Sequence, residues 1–467
     1  MSCSSEAVCD SKKPDLVPVQ TKPHYWLYKQ GREVWNRWAR EAFFDKNGKD
    51  DGRIDKLIAE AKEKLAKIEK SSHLHKEDGL ISIQEEKIEA LEKFKEYKVL
   101  TIREKNEIEQ EMISSSGIDD LELPSVHDNI DFLKTDWNEE ADFSLYIFPA
   151  KCDFRSASFL SYADFSSASF SSAASFSYAS FSSYADFSSA SFCSYADFSS
   201  ASFPSYAYFS SASFCSYADF SSANFSSDAD FSSAKIDFLS IHKTNFESDC
   251  NFQNAIFEKV PKVSGVSITG VFNFYDVTLP DIKGSSNPVG DTLSYSQLKR
   301  LMNDSHLHDW ETFFFRKELL SRAEAAKRKS KKTFDSDWRT HKFIHLYDTI
   351  CECGNSIVKP LKGLLALFLS MVYFYPFLAG KFKRENLMDS FYIEEGIYLS
   401  LRHTVLFLPS SKKNYDSVME SLFAAYGTGN VDMLYIIYVL SSGLQTLLSI
   451  GLLFLIGLAI RNHLKIK

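Results

Sequence analysis

The chain lacks the residue patterns that build a catalytic or metal centre. It has no phosphate-cradling glycine loop, no nucleophile elbow, no HExxH helix and no paired metal motif, and its 11 histidines are scattered. Neither enzymatic activity nor a bound cofactor is expected. Cysteine is sparse, with 8 residues at positions 3, 9, 152, 193, 215, 250, 351 and 353. Cys351-Glu352-Cys353 has no second ligand pair nearby, which argues against zinc. Scattered free thiols suit a reducing cytoplasm. Residues 1–22 are polar, have no apolar core, and read as a disordered N-terminus, not a secretory signal. An excess of positive charge is also missing. The net charge of -9 argues against general nucleic-acid binding.

What the chain does have is phenylalanine in register. From Ala141 to Glu258 it recurs at Phe143, Phe148, Phe154, Phe159, Phe165, Phe170, Phe176, Phe181, Phe187, Phe192, Phe198, Phe203, Phe209, Phe214, Phe220, Phe225 and Phe231, with gaps alternating five and six. A small residue sits two positions before almost every one, as at Ala163, Ala168, Ala174 and Ala185. The pattern continues more loosely through Ile236, Ile241, Phe246, Phe252 and Phe257. This period fits neither a helix nor a strand, but it fits a solenoid whose short repeats each form one side of a coil. Phe points inward and stacks on the Phe one coil along, Ala points inward where only a methyl fits, and Ser, Asp and Tyr face water. Full burial of each Phe contributes roughly 1.5–3 kcal/mol. Cys152 and Cys250 take the small inward position; Cys193 and Cys215, each one residue after a Phe, are expected at the surface.

The run A-x-F-x-x, as in Ala163-Asp164-Phe165-Ser166-Ser167 and Ala168-Ser169-Phe170-Ser171-Ser172, resembles the pentapeptide-repeat family. That resemblance implies a right-handed quadrilateral β-helix with four repeats per coil. The alternate gaps of six depart from the family pattern, so a coil needs 22 residues. The extra residue (Tyr162, Tyr184, Tyr195, Tyr206, Tyr217) is expected to bulge at a corner. Asp142, Asp153, Asp164, Asp186, Asp197, Asp219 and Asp230 each precede an inward Phe at separations that are multiples of eleven. On that coil Asp142, Asp164, Asp186 and Asp230 stack on one side, and Asp153, Asp197 and Asp219 on the opposite side, broken at Ser175 and Tyr208. Asp164, Asp186, Asp197, Asp219 and Asp230 form a candidate partner-binding stripe. Some pentapeptide-repeat relatives use such ridges to imitate DNA and occupy topoisomerases, which is the alternative functional reading.

Elsewhere the pattern is helical. Residues 23–140 read as a cap and a coiled-coil hairpin. Trp35 and Trp38 share a helical face suited to covering the open end of the solenoid. Asp45 to Asp55 superficially looks like a calcium loop, but Lys56 stands where the closing Glu belongs, so it reads as a turn. Ile54, Ile58, Ala61, Leu65 and Ile68 make one apolar stripe; Ile81, Ile88, Leu91 and Phe94 make another that Gln84 interrupts. Two antiparallel helices over 53–70 and 81–113 follow. Residues 114–140 read as a polar linker, 141–290 as the solenoid, and 291–360 as cytoplasmic helices, with Ser305 as an N-cap and a basic run at 327–332 placed to meet anionic lipid.

Residues 361–467 read as a two-span membrane module. Gly363 to Gly380 and Met433 to Ile460 carry no charge and are long enough, the first marginally, to span a bilayer. Tyr373, Tyr375, Tyr435 and Tyr438 fit interfacial belts. Basic residues flanking both spans place the two termini in the cytoplasm. An amphipathic helix is expected over 390–402. The layout of span, short helix, loop and span resembles the pore module of two-span cation channels. The sequence departs from it, with Thr404, Val405 and Leu406 where that family has Gly-Tyr-Gly; the glycines of 425–430 match imperfectly. Ser441, Gln445 and Ser449 fall on one face of the second span, either as helix-packing polar groups or as the lining of an oligomeric pore. The expectation is a bacterial inner-membrane scaffold of mainly β-solenoid fold with helical ends. Its partners would be membrane lipid, further copies of itself and a cytoplasmic protein.

Overall fold

A computed structural model describes residues 17–18, 22–44, 50–71, 78–118, 121–305, 307–330, 334–379, 390–405, 417–419 and 431–464. The chain forms two compact units, Met1–Ser285 and Ser286–Lys467.

The first unit is a four-sided parallel β-solenoid. One coil runs through Cys152–Asp153, Ser158–Phe159, Ala163–Asp164 and Ser169–Phe170, after which Ala174 lies beside Cys152, 22 residues on. Rungs stack into sheets of eight, ten and seven strands; the ten-stranded one covers two sides, joined through the longer strands Ser213–Asp219 and Lys235–Ser240. Side chains alternate across each short strand, so the repeat Phe and Ala turn inward and are at most 1% exposed, while the serines point away from the tube's interior, several of them buried on its outside. The Phe rings form four continuous stacks. Phe143, Phe165, Phe187, Phe209 and Phe231 follow one another at 4.8–5.1 Å, and Phe148, Phe170, Phe192 and Phe214 at 4.6–4.9 Å. Phe154, Phe176, Phe198 and Phe220 form the third, and Phe159, Phe181, Phe203 and Phe225 the fourth. Neighbouring stacks meet edge to face, as Phe165 does Phe176 at 5.3 Å and 83°. That combination satisfies the ring quadrupoles in both directions.

Corners alternate between two forms. The tight one closes with the Ala168 amide donating to the Phe165 carbonyl (3.1 Å), and its third residue is left-handed. Ser156, Ser167, Tyr178, Ser189, Ser200, Ser211, Ser222 and Ser233 all have φ between +54° and +61°. Left-handed backbone costs a side-chain-bearing residue about 1–2 kcal/mol. Inter-coil bonds such as Ser167 N to Ser188 O (2.8 Å) offset it. The wide corner holds the extra residue, as the spacing predicts. There Tyr184 stacks on Tyr206 at 5.6 Å and Tyr195 on Tyr217 at 5.5 Å. One wide corner is a residue short: Phe214 pairs with Ile236 but Tyr217 with Phe238.

The solenoid starts before Ala141, within the stretch read as a linker. Ile130–Asp131 pairs with Cys152–Asp153, Phe132 stacks on Phe154 at 4.9 Å, and Trp137 on Phe159 at 6.0 Å. Its first rung is covered by α1 (Pro23–Lys29) and α2 (Arg32–Arg40). Asn36 replaces a missing coil by donating to Leu145 O (3.2 Å) and accepting from Ile147 N (3.0 Å). Trp35 Nε1 donates to Ile147 O (2.9 Å), the Tyr28 hydroxyl accepts from Asp142 N (3.1 Å), and Val17–Pro18 pairs with Thr135–Asp136. The exposed sheet edge is thereby satisfied.

Within this cap His24 is buried among Trp35, Trp38 and Phe132. Burial lowers its pKa to about 4, against the opposing pull of Asp131 and Asp128, with Lys22 adding slightly to the depression. A histidine whose folded pKa lies below its unfolded value stabilises the fold fully above pH 6.5, and that contribution is lost as pH falls toward 4. The cap is therefore expected to loosen across pH 6.5–4, read as red-shifting tryptophan fluorescence. His24→Gln should flatten that response; an unchanged response would refute the assignment.

The expected hairpin forms from α3 (Arg53–Ser71) and α4 (Asp78–Glu96), antiparallel through Lys62–Glu92 and Lys95–Asp55 pairs at 2.6 and 2.5 Å. The second helix does not run to 113. It breaks at 97–101, and α5 (Ile102–Ser116) begins on a capping box formed by Thr101 and Glu104. Gln84, which interrupts the stripe, is buried and donates to Ser189 Oγ (2.5 Å), while buried Lys87 bonds Ser189 O and Ser191 Oγ. The hairpin thus docks polar residues onto the solenoid's own serines. Of the Asp45–Asp55 turn, residues 45–49 lie outside the described residues; Asp50 pairs with Arg40 and Asp51 with Arg53.

The second unit is helical. α6 (Pro288–Asp304) starts on Asn287, whose Oδ1 accepts from Gly290 N at 3.1 Å. Ser305 therefore ends this helix and caps no following one. α7 (His308–Lys329) and α8 (Ser336–Cys351) are joined by the bidentate Arg316–Asp348 pair, 2.7 and 3.3 Å. Lys327 and Arg328 of the basic run pair with Glu324 at 3.5 and 3.6 Å; Lys331 and Lys332 lie outside the described residues. α9 (Val358–Leu378), α10 (Ser390–Thr404) and α11 (Val431–Leu464) complete the unit.

Candidate functional site

α9 and the Tyr435–Asn462 part of α11 are long and apolar enough to cross a membrane, and only 17% of each apolar window is buried within the protein. Leu361, Leu365, Leu369, Leu444, Leu447 and Phe454 stand 47–69% exposed. A core helix of a water-soluble domain would have most of that surface covered.

The inner faces of these helices pack an apolar cluster of Tyr375, Ala379, Leu399 and Tyr438, and a group of hydrogen-bonded polar side chains centred on Gln445 lies within it. Gln445 is fully buried. Its Nε2 lies 3.0 Å from Ser400 O, Ser400 Oγ and Thr404 Oγ1, and its Oε1 accepts from the Tyr375 hydroxyl at 2.5 Å. Ser400 Oγ in turn donates to Phe368 O (2.8 Å). One amide thereby ties α11 to α9 and α10. His403 sits 3.3 Å from both Tyr438 Oη and Thr446 Oγ1. Buried amide groups in an apolar setting demand such partners, and here they are found within one chain.

The three residues singled out on α11 thus separate. Gln445 is the hub. Ser441 donates to its own helix at Tyr438 O (3.0 Å), and Ser449 is buried with no partner for its hydroxyl among the described residues. Tyr375 and Tyr438 are 0 and 2% exposed and belong to the packed interior, where they cannot face lipid as belt residues do, whereas Tyr373 and Tyr435 are 55 and 53% exposed. α10 packs antiparallel to α9 at very close range: a Cβ on Gly396 would fall 2.1 Å from Val372 O. Pro376 has no N–H to offer that carbonyl four residues back, which leaves it free to face Gly396. The spacing of Ser400 and Thr404, one turn apart on an amphipathic helix, was the available signal for this contact. The glycines of 425–430 lie outside the described residues.

The acidic columns form as the coil length requires. Asp142, Asp164 and Asp186 pair in sequence, Tyr208 follows, then Asp230; on the opposite side Asp153, Ser175, Asp197 and Asp219 align. Their carboxylates are engaged locally. Each of Asp164, Asp186, Asp197, Asp219 and Asp230 accepts from the backbone amide two residues on, at 2.7–3.0 Å, which fixes the following tight turn. The Ser199 and Ser221 hydroxyls donate to Asp197 and Asp219 of one column, where Tyr195 reaches Asp219 more distantly, and Tyr162 reaches Asp186 of the opposite column. Burial raises the Asp164 carboxyl above its ordinary range. No cluster of three or more metal-ligating side chains exists among the described residues.

No family model, curated protein or solved structure matches this chain.

Proposed function

We propose that this is a membrane-anchored scaffold of the pentapeptide-repeat type, held in a bacterial inner membrane by α9 and α11 and presenting a cytoplasmic solenoid to a protein partner. The observation that carries the reading is the arrangement of the C-terminal helices, apolar outside and hydrogen-bonded around Gln445 inside. That is the polarity a bilayer requires. The regular solenoid supplies a long rigid surface, and Phe rings fill its interior.

The membrane test is extraction of the full chain from host membranes with alkaline carbonate. It should stay in the pellet and enter solution only with detergent; release by carbonate alone would overturn the reading. A channel function, as an oligomer, remains the competing membrane role. The spending of the Gln445 amide on partners within one chain favours the scaffold. Reconstituted protein should be electrically silent in planar bilayers; current that changes with Gln445→Leu would favour the pore. The acidic columns are interrupted at Ser175 and Tyr208, which disfavours imitation of DNA, and residues 130–285 should leave supercoiling by a topoisomerase unchanged.

A further inference from the structure

Two cysteines meet where the hairpin docks on the solenoid. Phe192 and Phe214 pair in register on neighbouring rungs, so Cys193 and Cys215, each the next residue, lie side by side at the same corner. Parallel rungs are about 4.8 Å apart, inside the roughly 4.4–6.8 Å separation that a disulfide spans. Both thiols are free, Cys193 half-buried and Cys215 exposed. α3 borders an open cavity of about 210 Å³ beside Cys215, lined also by Glu60, Glu63, Lys64, Lys235 and Asp237, among others. Half-buried Lys64 is anchored there by donating to Ser211 O (3.1 Å).

We propose that this corner is a hydroperoxide-reactive thiol site, with Cys215 the attacking sulfur, Cys193 the resolving one and Lys64 the proton donor to the leaving oxygen. The Cys215 thiolate attacks the terminal oxygen of the hydroperoxide, the O–O bond breaks, and the departing alkoxide or hydroxide takes a proton from the Lys64 ammonium. Sulfur is oxidised to the sulfenic acid and the peroxide is reduced to an alcohol or water. The Cys193 thiol then displaces the sulfenic hydroxyl as water, leaving a Cys193–Cys215 disulfide between consecutive coils.

Two further features support the roles. The hydrogen bond from Cys193 holds the Cys215 thiol down to about 6, helped by Ser213 and the Lys64 charge against burial and Glu60, whereas the same bond and burial push the Cys193 thiol up. Burial lowers the Lys64 ammonium to about 8, which makes it a ready proton donor near neutral pH. The remaining described cysteines, Cys152, Cys250, Cys351 and Cys353, are buried. Burial raises their thiols, so they are poor competitors.

The test uses the full chain in detergent with hydrogen peroxide as the probe and peptide mass spectrometry as the readout. A Cys193–Cys215 disulfide should form within one molecule. Iodoacetamide should label Cys215 about tenfold faster than an ordinary thiol at pH 7. Cys193→Ser should accumulate a dimedone-reactive sulfenic acid on Cys215, and Lys64→Met should slow its formation several-fold without changing the far-ultraviolet dichroism. Ordinary alkylation rates at Cys215, disulfides only between molecules, or an unaffected rate in Lys64→Met with the fold intact would each overturn the assignment. These readouts do not depend on whether the chain enters a membrane.

Discussion

Phe187→Ala is expected to remove about 3–5 kcal/mol of stability, among the larger losses open to any single substitution in the solenoid. Phe187 is wholly buried, stacked between Phe165 at 4.9 Å and Phe209 at 5.1 Å, and edge-on to Phe176 and Phe198 at 5.4 and 5.2 Å. Truncation deletes these ring contacts at once, together with those to Phe181 at 5.8 Å and Phe192 at 6.3 Å. The void cannot close, because the backbone on either side is pinned: Phe187 N donates to Tyr208 O at 2.7 Å and Phe165 N to Asp186 O at 2.7 Å. In a solenoid each coil is supported only by its neighbours, so a break in the middle weakens both halves. Urea titration in detergent, followed by the fluorescence of Trp137 and the cap tryptophans, measures the loss. Phe187→Leu should fall between wild type and Ala. A loss under about 1 kcal/mol for Phe187→Ala would mean that ring stacking does not hold the tube together.

Gly396→Leu should have a comparable effect on the C-terminal helices, about 3 kcal/mol or more, with loss of the Gln445 network. The obstacle is backbone: the new Cβ would sit 2.1 Å from Val372 O and 3.1 Å from Pro376 Cγ. A carbonyl within a helix cannot step aside as a side-chain tip can, so α9 and α10 must separate. Separation withdraws Ser400 and Thr404 from Gln445 and leaves a buried amide unpaired. Gly396→Ala should show the same defect in milder form. The readout is thermal unfolding in detergent together with protease resistance of the 358–464 region. Wild-type resistance in Gly396→Leu would show that the two helices do not pack as described.

Much of the first unit was legible from its phenylalanines, because a five-and-six spacing leaves few ways to bury every ring. The corner tyrosines and the aligned aspartates follow from that coil length. The left-handed serines were not legible. Serine carries no signal for positive φ, and only the stacking of coils forces Ser167 or Ser200 into it. The start at Ile130 was hidden because Phe132 and Trp137 occupy coil positions without the A-x-F signature. Gln84 reads as a flaw in an amphipathic stripe and Lys87 carries no signal, since their partners Ser189 and Ser191 lie about a hundred residues away. In the second unit the apolar runs were plain. The partners of Gln445 were not, because Tyr375 is 70 residues distant and nothing local links them.

The interchangeability of the coils bears on how such a molecule changes over generations. Neighbouring coils carry near-identical text, so an insertion or deletion of eleven or twenty-two residues would keep the rings in register. A gain of twenty-two lengthens the tube by one rung, about 4.8 Å, and preserves the orientation of everything beyond it. A gain of eleven also keeps every ring in its stack, yet turns all that follows by half a revolution. The single residue missing between Ile236 and Phe238, opposite the Phe214–Tyr217 corner, is a lesion of neither size. It coincides with the change from the strict A-x-F repeat to the looser run through Ile236, Ile241, Phe246 and Phe252.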